Sequence, residues 1–290
     1  MLFRSLDLAP NTYRINLGGV PVGESIIYPE REMAINPGRV FGQVKGIATH
    51  DPAFGMEALW IEPADREQAQ TMGYTVVDAG TVIATHLSHI IQSHAHELLG
   101  HEEVSQLLAN VAKGAPKLVE DLVPRVLPMA VLVRVLQSLL SERVPLRNMR
   151  AIIETLAEQA PRSQDPAVLQ AAVRVALGRQ IVQDIAGMAG DLPVMTLDPE
   201  LERLLQGSIG SANSPATGLE PSLAERLQSR LAESAQRQEL LGEPAVLLVP
   251  PPLRQTLARF IRASVPNMHV LAWSEIPDNR KVRLVSAVGR

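Results

Sequence analysis

From His101 to about Gly187 the apolar residues recur at helical spacing, and on either side of that stretch they do not. This double change of period most constrains the fold, because a strand pattern cannot settle into a helix, nor the reverse. Met149, Ile152, Ile153 and Leu156 fall at i, i+3, i+4 and i+7, one apolar stripe with charges opposite it. Asp165-Pro166 reads as an N-cap followed by proline in the first turn. The helix it opens is expected to bury Leu169, Ala172, Val173 and Ala176. Pro128 to Leu140 is apolar almost all round and belongs at the centre of a helical domain.

The flanks read as mixed α and β. Tyr13 to Leu17 alternates, Gly18-Gly19 is a hairpin turn signal, and Val20 to Tyr28 is a second extended run. Ala58 to Ile61 and Tyr74 to Val77 are strand candidates around a polar helix, Asp65 to Met72, and one longer helix is expected from Thr81 to Leu99. Beyond the helical stretch, Pro193 to Leu197 and Ala245 to Val249 are strand-like, and Asp198-Pro199 caps a helix through Leu205. Gly207 to Pro221 reads as a loop, Ser222 to Leu241 as a polar helix, and the end as a strand, a helix and a closing hairpin. The fold class is α+β with several domains.

Composition removes whole classes of function. Aromatic residues make up only 3% of 290, so the core is aliphatic. There is no cysteine, which excludes disulfides, thiolate metal sites and thiol nucleophiles. A formal net charge of −4 provides no field for phosphate backbones, so nucleic acid is not an expected partner. No run approaches the roughly 20 apolar residues that cross a bilayer. His86, His89, His94, His96 and His101 crowd one stretch and raise a metal-dependent hydrolase as the rival reading. His94 and His96, two apart, cannot face one ion from a single helix, and no HExxH or GxSxG pattern occurs. No catalytic residue, metal or cofactor is expected.

The segment Ala48 to Gly55 departs from the pattern around it. Phe54 stands among the turn formers Pro52 and Gly55 in a chain poor in aromatics. A loop phenylalanine is more commonly a core plug. The alternative is an anchor for a partner, with Asp51 as the polar neighbour that fixes its orientation.

Tyr28-Pro29, Ala34 to Gly38, Asp51-Pro-Ala-Phe-Gly55, Trp60-Ile-Glu62, Gly73 to Asp78, Ala84-Thr-His86, Asp121 to Pro124, Val135 to Leu140 and Val173 to Gly178 occur in one unbroken order. Together they resemble the flagellar and invasion protein export gate family, and its flagellar branch more than its virulence-secretion branch. The resemblance implies a cytoplasmic region at the bacterial inner membrane, assembled as a nonameric ring beneath the export gate. Its implied partners are flagellar export chaperones with late substrates and other export components. It implies a first α/β subdomain over 1–29 and 79–98, interrupted by a smaller α/β one over 30–78. A helical domain over 99–178 and a thioredoxin-like one over 179–290 would follow. It also implies a chaperone-binding dimple: Asp51, Phe54 and Thr85, with an apolar wall of Met33, Pro37, Val77 and Val82. Met33 stands where leucine is usual, a swap of similar volume. The resemblance begins at Leu6 and leaves out Met1 to Ser5, so the start is expected to be truncated rather than natural.

Overall fold

The computed structural model describes residues 8–187, 190–209 and 221–289. The chain divides into two units, one up to Ala95 and one from His96 onward.

In the first unit, β1 (Thr12–Leu17) and β2 (Val20–Ile26) form an antiparallel hairpin. Gly18 and Gly19 turn it at φ 55° and 86°, the left-handed pair that a two-residue turn requires. Four short strands, β3 (Glu32–Ile35), β4 (Ile47–His50), β5 (Glu57–Ile61) and β6 (Thr75–Asp78), build an antiparallel sheet in the order β4-β5-β3-β6. Helix α1 (Arg66–Thr71) lies between β5 and β6. The pleat sorts the sheet's side chains. Ala34, Ile61 and Val76 join the cluster with Ala69 and Tyr74, whereas Met33, Ala58 and Trp60 join Val82 on the other face.

Helix α2 (Ala79–Ser93) follows, with Asp78 accepting a hydrogen bond from the Thr81 N–H at its start. That bond and the one from the Thr81 hydroxyl hold the Asp78 carboxyl below its usual range. The single helix expected to Leu99 does not form. The backbone leaves helical geometry at His94, and a short α3 (Ala95–Leu98) follows.

In the second unit, α4 (His101–Ala112), α5 (Pro116–Leu122), α6 (Met129–Ser141), α7 (Met149–Gln159), α8 (Pro166–Ala176) and α9 (Gly178–Ala186) form a helical layer. The α7 stripe, Met149, Ile152, Ile153 and Leu156, is buried as its spacing requires. In α8, by contrast, Ala176 is exposed and Gln170 and Arg174 are buried with Leu169 and Val173. Their partners explain the difference. Gln170 accepts from Gln255 Nε2 at 3.0 Å, and Arg174 donates to both oxygens of Glu275 at 2.8 and 2.7 Å.

A sheet of β7 (Asp191–Leu197), β8 (Val246–Val249), β9 (His269–Ala272) and β10 (Lys281–Val288) follows, with α10 (Pro199–Ile209), α11 (Pro221–Leu240) and α12 (Pro251–Ile261) between strands. All pairings are parallel, in the order β10-β7-β8-β9. The closing hairpin expected at the end is therefore absent: β10 crosses to the far edge and pairs with β7. Helix α10 runs four residues beyond Leu205, through Gly207 to Ile209, and of the rest of the expected loop Pro221 opens α11 while 210–220 lie outside the described residues. Leu192, Val194 and Val246 face the helical layer, while Met195, Leu197, Leu247 and Val249 face Leu227, Leu231, Leu253 and Leu257. Strands β7, β8 and β9 are therefore covered on both sides, which accounts for their apolar runs, while the edge strand β10 is largely exposed.

His269, at the start of β9, has its pKa pushed down to about 4 by burial, with Arg143 and Arg174 adding to the effect. The unfolded chain therefore takes up a proton that the folded chain refuses, and stability falls as pH drops from 6.5 towards about 4. The expected loss from this group reaches about 3 kcal/mol. Denaturant midpoints at pH 7.5 and 4.5 should converge in His269→Asn relative to the parent chain.

Candidate functional site

The loop between β4 and β5 is held by a set of local hydrogen bonds. Asp51 N–H donates to Met56 O and Gly55 N–H to Asp51 O, both at 2.8 Å, and Gly55 takes φ 71°. The Asp51 carboxylate, only 3% exposed, accepts from the Phe54 N–H at 2.7 Å. Asp51 thus shapes the loop from inside rather than lying open on its surface. Phe54 points out and is 63% exposed, so the core-plug alternative is wrong. Its ring meets His89 of α2 nearly edge-on, at 5.4 Å between centres and 73° between planes.

The other site residues lie on the elements around this loop. Thr85 is half-buried on α2. Met33 and Val82 are buried in one apolar cluster, against which Val77 and Ile35 pack, on the sheet face that also carries Trp60. Pro37, just beyond β3, is exposed. The structure thus gathers Met33, Val77 and Val82 in one cluster, and Asp51 with Phe54 in one loop. On α2, Thr85 stands three positions from Val82 of that cluster and four from His89, which meets Phe54.

Tyr13 is the residue the sequence reading missed, and His86 and His89 were read there only as candidate metal ligands. Tyr13 OH lies 2.6 Å from His86 Nδ1, and the two rings meet at 72°. Burial, with Asp51 adding to it, pushes the Tyr13 phenol up to about 12. Burial also lowers the His86 pKa, with His89 contributing, against an opposing pull from Asp51. Both shifts favour the uncharged forms, and the imidazole tautomer sets which of the two groups donates. The only sequence signal was the alternation of β1, which cannot name a partner 73 positions away.

Three histidines of the stretch turn to different neighbours. His86 turns inward to Tyr13, His89 faces Phe54, and His96 lies 3.9 Å from Glu97. Among the described residues no three His, Asp or Glu side chains gather to hold an ion. Nor is any helix among them long and apolar enough to cross a membrane.

The sequence profile of the FHIPEP family matches residues 2–281. The chain belongs to the FHIPEP family. The match begins ahead of Leu6, where the resemblance was expected to start, and residues 1–7 lie outside the described ones. The chain is 51% identical over 285 residues to the flagellar biosynthesis protein FlhA of Yersinia enterocolitica, covering 98% of this chain and 41% of that protein. It thus spans about two-fifths of the length of such FHIPEP relatives. Two solved structures share the mixed α/β fold. The Chlamydia pneumoniae CdsV protein, in complex with CdsO, matches with a TM-score of 0.85 at 22% identity, over 98% of this chain and 82% of that one. Nonameric SctV-C of enteropathogenic E. coli matches with a TM-score of 0.77 at 21% identity, over 96% and 84%.

Proposed function

We propose that this chain is the cytoplasmic docking platform of a flagellar type III export gate, without enzymatic activity, at the inner face of the bacterial inner membrane. It receives export chaperones carrying late flagellar subunits and orders their export by differences in affinity. One observation carries the reading: an exposed phenylalanine, Phe54, on a loop pinned by a buried aspartate, in a chain with few aromatics. A solvent-facing aromatic held rigid loses little freedom on binding, as an anchor should. The resemblance to the FHIPEP pattern Asp51-Pro-Ala-Phe-Gly55, and the identity to FlhA proteins, support the partner class.

The finer organisation belongs to the same proposal. The parts are a first subdomain over 1–29 and 79–98, an inserted one over 30–78, a helical one over 99–178 and a thioredoxin-like variant over 179–290. Support comes from the hairpin, the four-stranded antiparallel sheet, the helical layer and the parallel sheet that follow in that order. In the last part the final strand joins the opposite edge instead of closing a hairpin. A homononameric ring, and contact with other export components, are proposed by analogy with nonameric SctV-C and with the CdsV–CdsO complex.

The dimple comprises Asp51, Phe54 and Thr85 with Met33, Pro37, Val77 and Val82. Thr85→Leu tests it, because a larger side chain obstructs the dimple while replacing a half-buried group on a helix surface. Isothermal titration with a purified flagellar chaperone–late substrate complex should show affinity down tenfold or more. The denaturant midpoint should shift by less than about 1 kcal/mol equivalent. Unchanged affinity would reject the dimple.

A further inference from the structure

Helix α2 carries two histidines three positions apart that point to different neighbours. His86, 5% exposed, shares a hydrogen bond with the Tyr13 hydroxyl of β1 at 2.6 Å. His89 meets the exposed Phe54 ring at 5.4 Å. The hairpin is seated closely on the same helix. A Cβ placed on Gly23 of β2 would lie 2.3 Å from Ile90 Cδ1 and 2.9 Å from His86 Nε2, so a side chain there would displace both groups. Two contacts thus fix the hairpin against α2, one polar and directional, one a close backbone approach. One turn further along the helix, the next histidine supports the ring that projects to solvent.

We propose that Tyr13, His86 and His89 are positioning residues. The Tyr13–His86 hydrogen bond sets α2 on the β1–β2 hairpin, and His89 of that helix holds the Phe54 ring in the orientation that receives an apolar or aromatic side chain of the partner. The proposal rests on the docking reading for its partner, but the positioning itself is a property of the free protein. It also assigns a use to two histidines of the stretch that suggested a metal centre. Phe54 has a left and a right side on its loop, and backbone bonds fix only its main chain: Asp51 holds the N–H, not the ring. Among the described residues, His89 is the aromatic partner of that ring. A 1 Å displacement of α2 would leave the ring without its edge-on neighbour, and a freely rotating anchor binds more weakly than an oriented one.

The test uses 4-fluorophenylalanine at position 54, with a second sample labelled at position 41 as a control. Phe41 is 88% exposed and lies in a segment packed on the other face of the sheet. Fluorine NMR is recorded on the free protein, for the parent chain, Tyr13→Phe and His89→Ala. The position-54 resonance should move or broaden in both variants while the position-41 resonance stays in place. A simultaneous collapse of both signals would mark unfolding and overturn the assignment of a local role. In titrations with a chaperone–late substrate complex, each variant should bind three- to tenfold more weakly. Neither should weaken binding further in a Phe54→Ala background. A position-54 signal unchanged by Tyr13→Phe overturns the positioning role whatever the affinities show. If the signal moves yet the parent chain binds no complex, the docking reading falls and the positioning of Phe54 stands.

Discussion

Glu275→Gln is expected to remove about 3–5 kcal/mol of folding stability, the largest effect of any single substitution considered for this protein. Glu275 is 2% exposed and shares its carboxylate between Arg174 and Arg254, themselves 2% and 3% exposed. Glu142, at the end of α6, pairs with the same two guanidinium groups. Four alternating charges from distant parts of the second unit therefore satisfy one another, three of them buried and Glu142 at 15% side-chain exposure. Burial works against the Arg174 charge, but the Glu275 hydrogen bonds and charge reverse this and raise its pKa above the ordinary value. Replacing one carboxylate by an amide leaves two buried cations to one anion, and the uncompensated charge is what costs. The denaturant midpoint should fall with little change in slope. The exposed pair Arg125–Asp121 is the contrast: both side chains are about 70% exposed, and Arg125→Ala should change stability by less than about 1 kcal/mol.

Phe54→Ala is expected to cost about 2 kcal/mol or more of binding to a chaperone–late substrate complex, roughly thirtyfold in affinity, with little loss of folding stability. The two halves of this prediction come from the same fact. A ring that is 63% exposed contributes little to the core, so its removal avoids the 3–5 kcal/mol that truncating a buried phenylalanine costs. The loop fixes the Phe54 backbone and His89 meets its ring, so the exposed surface is available to a partner at low entropic cost. Asp51→Ala should weaken binding too, by a different route. It frees the Phe54 N–H and loosens the loop, so its effect on stability should exceed that of Phe54→Ala.

Local signals in the sequence were reliable wherever one element decides its own structure. The Gly18-Gly19 turn, the Asp165-Pro166 cap and the α7 stripe each depend on residues within one or two turns of each other, and each forms where expected. The helical stretch and its mixed flanks were legible for the same reason. What failed depended on distant partners. The burial of Gln170 and Arg174 in α8 cannot be read from α8, because Gln255 and Glu275 lie 85 and 101 positions away. The apolar run at the end of the chain marks a strand but not which strand it pairs with, and so β10 was assigned to a hairpin rather than to β7. The site shows the same division. The Asp51-Pro-Ala-Phe-Gly55 loop is visible as a motif, but the outward turn of Phe54 and the support from Tyr13, His86 and His89 appear only once α2 is in place.

The central claim is that a chaperone docks on the face around Phe54, and site-specific photocrosslinking tests it most directly. Benzoylphenylalanine is placed at position 54 in one sample and at position 41 in another, both at exposed aromatic positions of the same unit. Each is irradiated with a flagellar chaperone–late substrate complex. A crosslink to the chaperone is expected from position 54 and none above background from position 41. Equal crosslinking from both positions, or crosslinking from position 41 alone, would contradict it.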